Sequence, residues 1–403
     1  GRRASARGGT AGGGIRITRT CDAGNVHMLI IRDFKDIVLG DRREISAEVD
    51  GDRVFFRVPA HFPVSCCAEP FVGIALLEAM VRNIDIDIQG DVAISEKLMR
   101  TLPEIQRVYA SWNTDLHPIR VHARTRREEI AQDRIASYYS GGVDGSYTLA
   151  CQFDDITHLI MLSGFELAGN TPELWRCAVE NNRTFASKIG KELVPVETNA
   201  KEWTDGRRIY WGFAQGLILS SLASLFGAKR LYIASSHTYN ELFPTGSHPL
   251  TDPMWSTEST TIIHHGAAAR RSDKMKELCR HPVILDNLKV CWASLHENCG
   301  ACPKCVRTMA ALHLLGASTP ALPAFEGKRG QLRPFIACAR VGASYLEDAL
   351  LLARERGHSK IHRALKRYYQ LYQLLVIMKI IDKYFLGGLV RRVYRNRRSR
   401  KIP

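Results

Sequence analysis

From about Arg134 onward, short apolar runs alternate with segments of helical period. No other feature of the chain constrains its fold as much. Residues 135–139, 158–162, 193–197 and 230–234 read as strands, and 147–153, 171–189 and 209–226 read as helices. Strands separated by helices at this spacing predict a parallel sheet with crossover helices, an α/β fold. In such sheets the ligand lies beyond the carboxyl ends of the strands. Those ends fall at 140–146, 163–166, 197–199 and 235–240.

The segments on either side follow different patterns. Residues 1–24 are rich in Gly, Arg, Ser and Thr without an apolar period, and read as a flexible basic arm. Residues 25–130 carry strand signals at 27–31, 44–49, 54–58 and 84–88, and helical ones at 71–81 and 94–112. They predict a small α+β domain and contain no chemical motif. The α/β unit spans 131–320. Residues 321–403 form a helical extension with a basic tail. At ~100–200 residues per domain, 403 residues fit this division.

Charge is unevenly placed. The chain carries a formal +15, of which 353–403 hold +13 and 1–24 hold +4, leaving 25–352 at −2. The middle of the chain therefore has no cationic excess with which to hold a nucleic-acid backbone. No run of ~18 uncharged apolar residues predicts a membrane-spanning helix. The start of the chain shows no apolar signal core. Eleven unevenly spread cysteines do not form a secreted disulfide framework. A cytoplasmic location is expected.

Two motifs carry chemistry. The first, Tyr139-Ser-Gly-Gly-Val-Asp-Gly-Ser146, lies between a predicted strand and a predicted helix. Gly141 and Gly142 let the backbone approach an anion. The helix N-terminus at Val143 adds free N–H groups and the positive end of a dipole. Ser140 and Ser146 add hydroxyls. Asp144 would repel a bare phosphate, so it points to Mg²⁺ or to helix capping.

The second motif places Cys291, Cys299, Cys302 and Cys305 within 15 residues. Four thiolates in tetrahedral array suit Zn²⁺, and four protein ligands make a closed, structural site. A redox Cys-x-x-Cys pair and an iron–sulfur cluster are the other readings.

The first motif resembles that of the PP-loop ATP pyrophosphatases, with Ser140, Gly141, Gly142 and Asp144 matching. The second motif serine of that family is Gly145 here, and a hydroxyl follows at Ser146. The resemblance implies an adenine nucleotide alpha hydrolase-like sheet with flanking helices. It implies ATP and Mg²⁺ as cofactors, with catalytic roles for Asp144 and Ser146. It implies a nucleotide site at Ser140, Gly141, Gly142, Val143, Asp144, Gly145 and Ser146, joined by Ser163 and Gly164. Gly164-Phe165-Glu166 stands where these proteins hold adenine.

The late cysteine run, with Val306-Arg307-Thr308-Met309 and an apolar helix behind it, is similar to the zinc signature of the 7-cyano-7-deazaguanine synthase family within that group. The likeness covers residues 134–316. It implies cleavage of ATP to AMP and pyrophosphate, activation of a carboxylate or carbonyl oxygen, and attack by ammonia to form an amide or nitrile. The substrate would be a deazapurine or related carboxylate, small or protein-borne, on a homo-oligomeric enzyme. Thiolation of tRNA and a non-catalytic nucleotide-binding role are the alternatives.

Residues 235–258 include Pro244, Gly246, Pro249 and Pro253 and predict an irregular functional loop or lid. Ser236, His237, Tyr239 and Asn240 are its substrate candidates, and Asp252 and Glu258 are further candidates to bind substrate or position a nucleophile. His264 and His265 offer a general base or metal ligands. Residues 361–386 keep helical spacing with a basic opposite face, and seven basic residues follow in 391–401. Anionic membrane and RNA are the contacts such a tail suits, beside plain packing on the core with a solvated end, and a peripheral membrane position follows from the first.

Overall fold

The computed structural model describes residues 28–127, 132–165, 172–326, 329–332, 334–335 and 344–384. The expected arm at 1–24, Cys21, Glu166, Cys338 and the basic run 391–401 lie outside the described residues.

The chain opens with three antiparallel strands, β1 (Leu29–Leu39), β2 (Arg42–Val49) and β3 (Asp52–Pro59). Asp50 and Gly51 both take positive φ between β2 and β3, the conformation a two-residue hairpin turn demands. Helix α1 (Glu69–Arg82) follows, apolar on nearly every face and buried along most of its length. Short strands β4 (Ile86–Ile88) and β5 (Ala93–Ser95), helix α2 (Glu96–Trp112), β6 (Val121–His122) and β7 (Arg124–Arg126) complete this part.

The alternating region then runs β8 (Gln132–Tyr138), α3 (Val143–Cys151), β9 (His158–Leu162), α4 (Pro172–Lys188) and β10 (Glu192–Thr198). It continues α5 (Ala200–Gly206), α6 (Trp211–Ser221), β11 (Ala228–Ala234), β12 (Thr261–His265), α7 (Arg271–Leu278) and α8 (Pro282–Leu285). Helices α9 (Pro303–Leu315), α10 (Ser344–Glu355) and α11 (Ser359–Tyr384) close the described chain.

The fold is α/β, as the alternation implies. Five parallel strands lie in the order β12-β11-β8-β9-β10. The sheet does not stop near residue 130. β10 pairs antiparallel with β3 through Glu197↔Arg57 and Thr198↔Phe56, and the sheet continues β3-β2-β1-β4-β6 to ten strands. Asn199 extends this joint: its Oδ1 accepts from Phe55 N at 3.0 Å and its Nδ2 donates to Arg53 O at 2.8 Å.

Two apolar layers cover the sheet. One runs under both halves and packs Leu29, Phe56 and Phe71 with Ala136, Val194, Leu217 and Ile262. The other covers the parallel half and joins Val143, Leu159, Phe185, Met275, Met309 and Leu346. The pleat of β9 shows the division, with Ile160 in the first layer and Leu159 and Met161 in the second. β12 completes the parallel edge, and no strand was expected at 261–265. Of the long irregular segment, only the single turns Tyr239–Glu241 and Asp252–Trp255 are helical.

Candidate functional site

β8 ends at Tyr138 and α3 begins at Val143, so residues 139–142 form a loop at the carboxyl end of the central parallel strand. Chain neighbour β9 lies on one side of β8 and β11 on the other, so the strand order reverses here. A crevice forms at such a point. Gly141 has φ +79° and its carbonyl accepts from Lys289 N at 2.8 Å; a Cβ there would lie 3.1 Å from Lys289 Cβ. Asn182 faces the same turn, 98% buried, and its Oδ1 has no hydrogen-bond partner among the described residues.

Asp144 is engaged by two cations. Its Oδ1 accepts from Lys274 Nζ at 2.8 Å and its Oδ2 from Arg271 at 3.0 Å. Both cations lie on α7 at i and i+3, a spacing that puts them on one face. Burial alone would raise the Asp144 carboxyl; Arg271 and Lys274, with Arg307 behind them, override it and hold the group at about 2. One cation engages each oxygen, which leaves each a further lone pair on a side chain that is 24% exposed. Ser146 is fully buried, with its hydroxyl against Tyr139, so it offers no hydroxyl at the loop surface.

Lys274 also donates to Ser235 O at 2.6 Å, tying α7 to the carboxyl end of β11. Arg307 on α9 stacks over the Tyr345 ring at 3.9 Å. The Nε atoms of Arg271 and Arg307 are buried without a hydrogen-bond partner among the described residues. Beside this cluster lies a cavity of about 100 Å³ lined by Asp144, Arg271, Lys274, Ser236, His237 and Tyr345, among others. Its rim also carries acids; Asp348 there is engaged by the Ser272 amide and hydroxyl at 2.7 and 2.6 Å. Arg271 and Lys274 converge on Asp144, and Glu241, Glu347 and Asp348 line the same cavity, so acids and bases are mixed around it.

The loop candidates separate. Ser236 and His237 reach the cavity, and burial pushes the His237 imidazole below its usual range. Tyr239 and Asn240 point to solvent instead. Glu258 is an N-terminal cap: it accepts from Ser95 Oγ at 2.6 Å and Lys97 N at 2.8 Å at the start of α2. His265 packs on α3, with Nδ1 3.1 Å from Thr148 Oγ1.

Asp252 and His264 are brought together and buried, with His264 Nδ1 2.7 Å from Asp252 Oδ2. Ser247 and Ser220 hydroxyls and the His248 amide also donate to Asp252, so the carboxylate is saturated. His264 Nε2 has no partner among the described residues. At the end of β9, Ser163 N donates to Val196 O and Ser163 Oγ accepts from Thr198 N at 3.0 Å. That hydroxyl is spent on the sheet. Gly164 follows with φ +77°.

The four cysteines converge as their spacing predicts. The sulfurs of Cys291, Cys299, Cys302 and Cys305 lie within 4.8 Å of one another. Metal–sulfur bonds of ~2.3 Å in a tetrahedron set S–S edges of roughly 3.8 Å, so a small closure admits one ion such as zinc. Backbone amides already point at the sulfurs: Cys299 N to Cys291 Sγ and Cys302 N to Cys299 Sγ, both at 3.3 Å. Cys302 also caps α9, which carries Arg307, so the cysteine cluster and the cation cluster share a helix.

The sequence reading missed Arg271, Lys274, Arg307 and Asn182. The Arg271-x-x-Lys274 spacing was the available signal, but isolated basic pairs of that kind are common on solvated helix faces. No family model, curated protein or solved structure matches the chain.

Proposed function

We propose that the chain is an ATP-dependent enzyme of the PP-loop type. The carboxylate oxygen of its substrate attacks the α-phosphorus of ATP, pyrophosphate leaves, and ammonia displaces AMP to form an amide; a nitrile forms when the oxygen of that amide attacks a second ATP, pyrophosphate leaves, and AMP is then eliminated with loss of the N–H protons. The carrying observation is the convergence of Arg271 and Lys274 on Asp144 in the first turn of α3, just after the loop from β8 and at the point where the strand order reverses. Loop amides and the start of α3 suit a phosphate chain, and fixed cations offset charge that grows on the departing pyrophosphate. Magnesium enters as the ATP complex. The four-cysteine cluster supports the narrower likeness to deazapurine chemistry, and a cytoplasmic site of action belongs to the same reading.

A second reading, nucleotide binding without turnover, is favoured by the hydroxyls: position 145 is glycine and Ser146 is buried. One experiment separates the two. Purified full-length chain is incubated with ATP and candidate carboxylates, with and without ammonium. AMP and pyrophosphate in equal amounts support the enzyme. ATP binding with no product supports the second reading. ADP as the sole product overturns both.

A further inference from the structure

We propose that α11 is a docking surface for an anionic lipid bilayer, on which it lies parallel to the membrane plane. The proposal is independent of the nucleotide chemistry.

The helix changes character along its length. Its first turns are anchored: Ile361 and Leu365 are buried, and Tyr368 and Tyr372 pack partly against the same core. Beyond them the apolar side chains face water. Leu371, Leu374, Ile377, Met378 and Ile381 are each 42–58% exposed. Steps of three and four residues place these on one continuous stripe. Scattered exposed leucines are ordinary, but a contiguous stripe on one helix marks a surface with an absent partner.

Charge selects that partner. Residues 359–403 carry 13 Lys or Arg and one acid, Asp382. Asp382 is buried, so no carboxylate stands on the open face of the described helix. Arg363, Lys366 and Arg367 are exposed at its anchored end. In sequence, 385–403 adds seven basic residues and no acid. A second copy of the chain would bring two such cationic stretches together. A nucleic acid would satisfy the cations and leave the apolar stripe in water. An anionic leaflet takes both, with apolar side chains at the acyl boundary and cations among the headgroups. No helix among the described residues is long and apolar enough to cross a membrane, so α11 rests in the interface.

The test is co-sedimentation of the full chain with vesicles of phosphatidylcholine alone and of phosphatidylcholine with phosphatidylglycerol. Binding should be at least ~10-fold stronger to the anionic vesicles and should fall steeply with added salt. The combined variant Leu374→Glu, Ile377→Glu, Met378→Glu should lose binding with an unchanged melting temperature, because all three side chains already face water. Failure to bind anionic vesicles overturns the proposal, as does equal binding by the variant. A concentration-dependent dimer abolished by the variant, with no vesicle binding, would assign the stripe to self-association. RNA retention without vesicle binding would assign the cations to nucleic acid. Either result overturns it.

Discussion

Lys274 Nζ lies 2.8 Å from Asp144 Oδ1, a contact that spans 130 residues of chain and joins α7 to the first turn of α3. The ammonium is almost fully buried and also bonds the Ser235 carbonyl, so one side chain connects the ends of β8 and β11. Asp144 is therefore the electrostatic centre of a cation cluster, where the sequence suggested a side chain that acts mainly in turnover.

Removing that centre should cost stability. Asp144→Asn leaves Arg271 and Lys274 buried side by side with no counter-charge, and breaking a buried pair costs about 3–5 kcal/mol. The denaturant midpoint should fall with an unchanged m-value. A midpoint equal to that of the parent protein would show that the cluster is stabilised by something other than Asp144.

Acid should expose the same pairing. The Asp144 carboxyl is held at about 2 in the folded protein by Arg271 and Lys274, below its unfolded value near 3.9. A depressed carboxyl stabilises the fold at pH above its unfolded value, and that stability is lost as pH falls from about 4 toward 2. Its size is about 2.6 kcal/mol at most. Asp144→Asn should flatten this part of the stability–pH profile, and a slope identical in the two proteins would assign the acid sensitivity to other groups.

The cysteine cluster should hold one metal. Elemental analysis of pure protein should find about one zinc per chain, and a strong chelator should lower the melting temperature. Cys302→Ala should lose both metal and thermal stability, since this residue is one of the four converging thiols and the cap of α9. Full zinc content in that variant would remove Cys302 from the ligand set. A brown protein with iron and labile sulfide would replace zinc with an iron–sulfur cluster and favour sulfur transfer.

The lid segment should depend on two glycines. A Cβ on Gly216 in α6 would fall 1.8 Å from the Gly246 carbonyl carbon, and Gly246 N donates to Gly212 O at 2.6 Å. Backbone cannot rotate out of the way, so Gly216→Ala must displace the loop, at a cost of about 1–3 kcal/mol or more. Faster proteolysis within 241–258 should accompany a lower melting temperature. An unchanged melting temperature would mean that this close approach is not needed.

Several features were legible without coordinates because they are local. The strands 158–162, 193–197 and 230–234 and their helices follow from apolar period alone, and so does the loop–helix junction at 139–143. The cysteine cluster follows from spacing, because overlapping Cys-x-x-Cys steps bring sulfurs together whatever surrounds them. β12 was not legible. Thr261–His265 holds only two apolar residues, between a threonine and two histidines; it forms a strand because the edge of β11 is there to pair with. Glu258 read as a substrate candidate because a carboxylate in a loop gives no sign of the helix it caps.

What the sequence determined by itself is thus the run of strands and helices in the alternating region, the placement of the glycine loop between strand and helix, and the convergence of four cysteine sulfurs. Each depends on residues within one or two turns of one another. Tertiary structure decided that the first strands extend the parallel sheet, because Glu197 and Thr198 meet Arg57 and Phe56 across a joint that hydrophobic period does not encode. It also decided the partners of the charged groups. Coulomb energy depends on distance in space, and which carboxylate meets which cation is set only when the sheet brings α3 and α7 together, or β12 and the turn at Asp252.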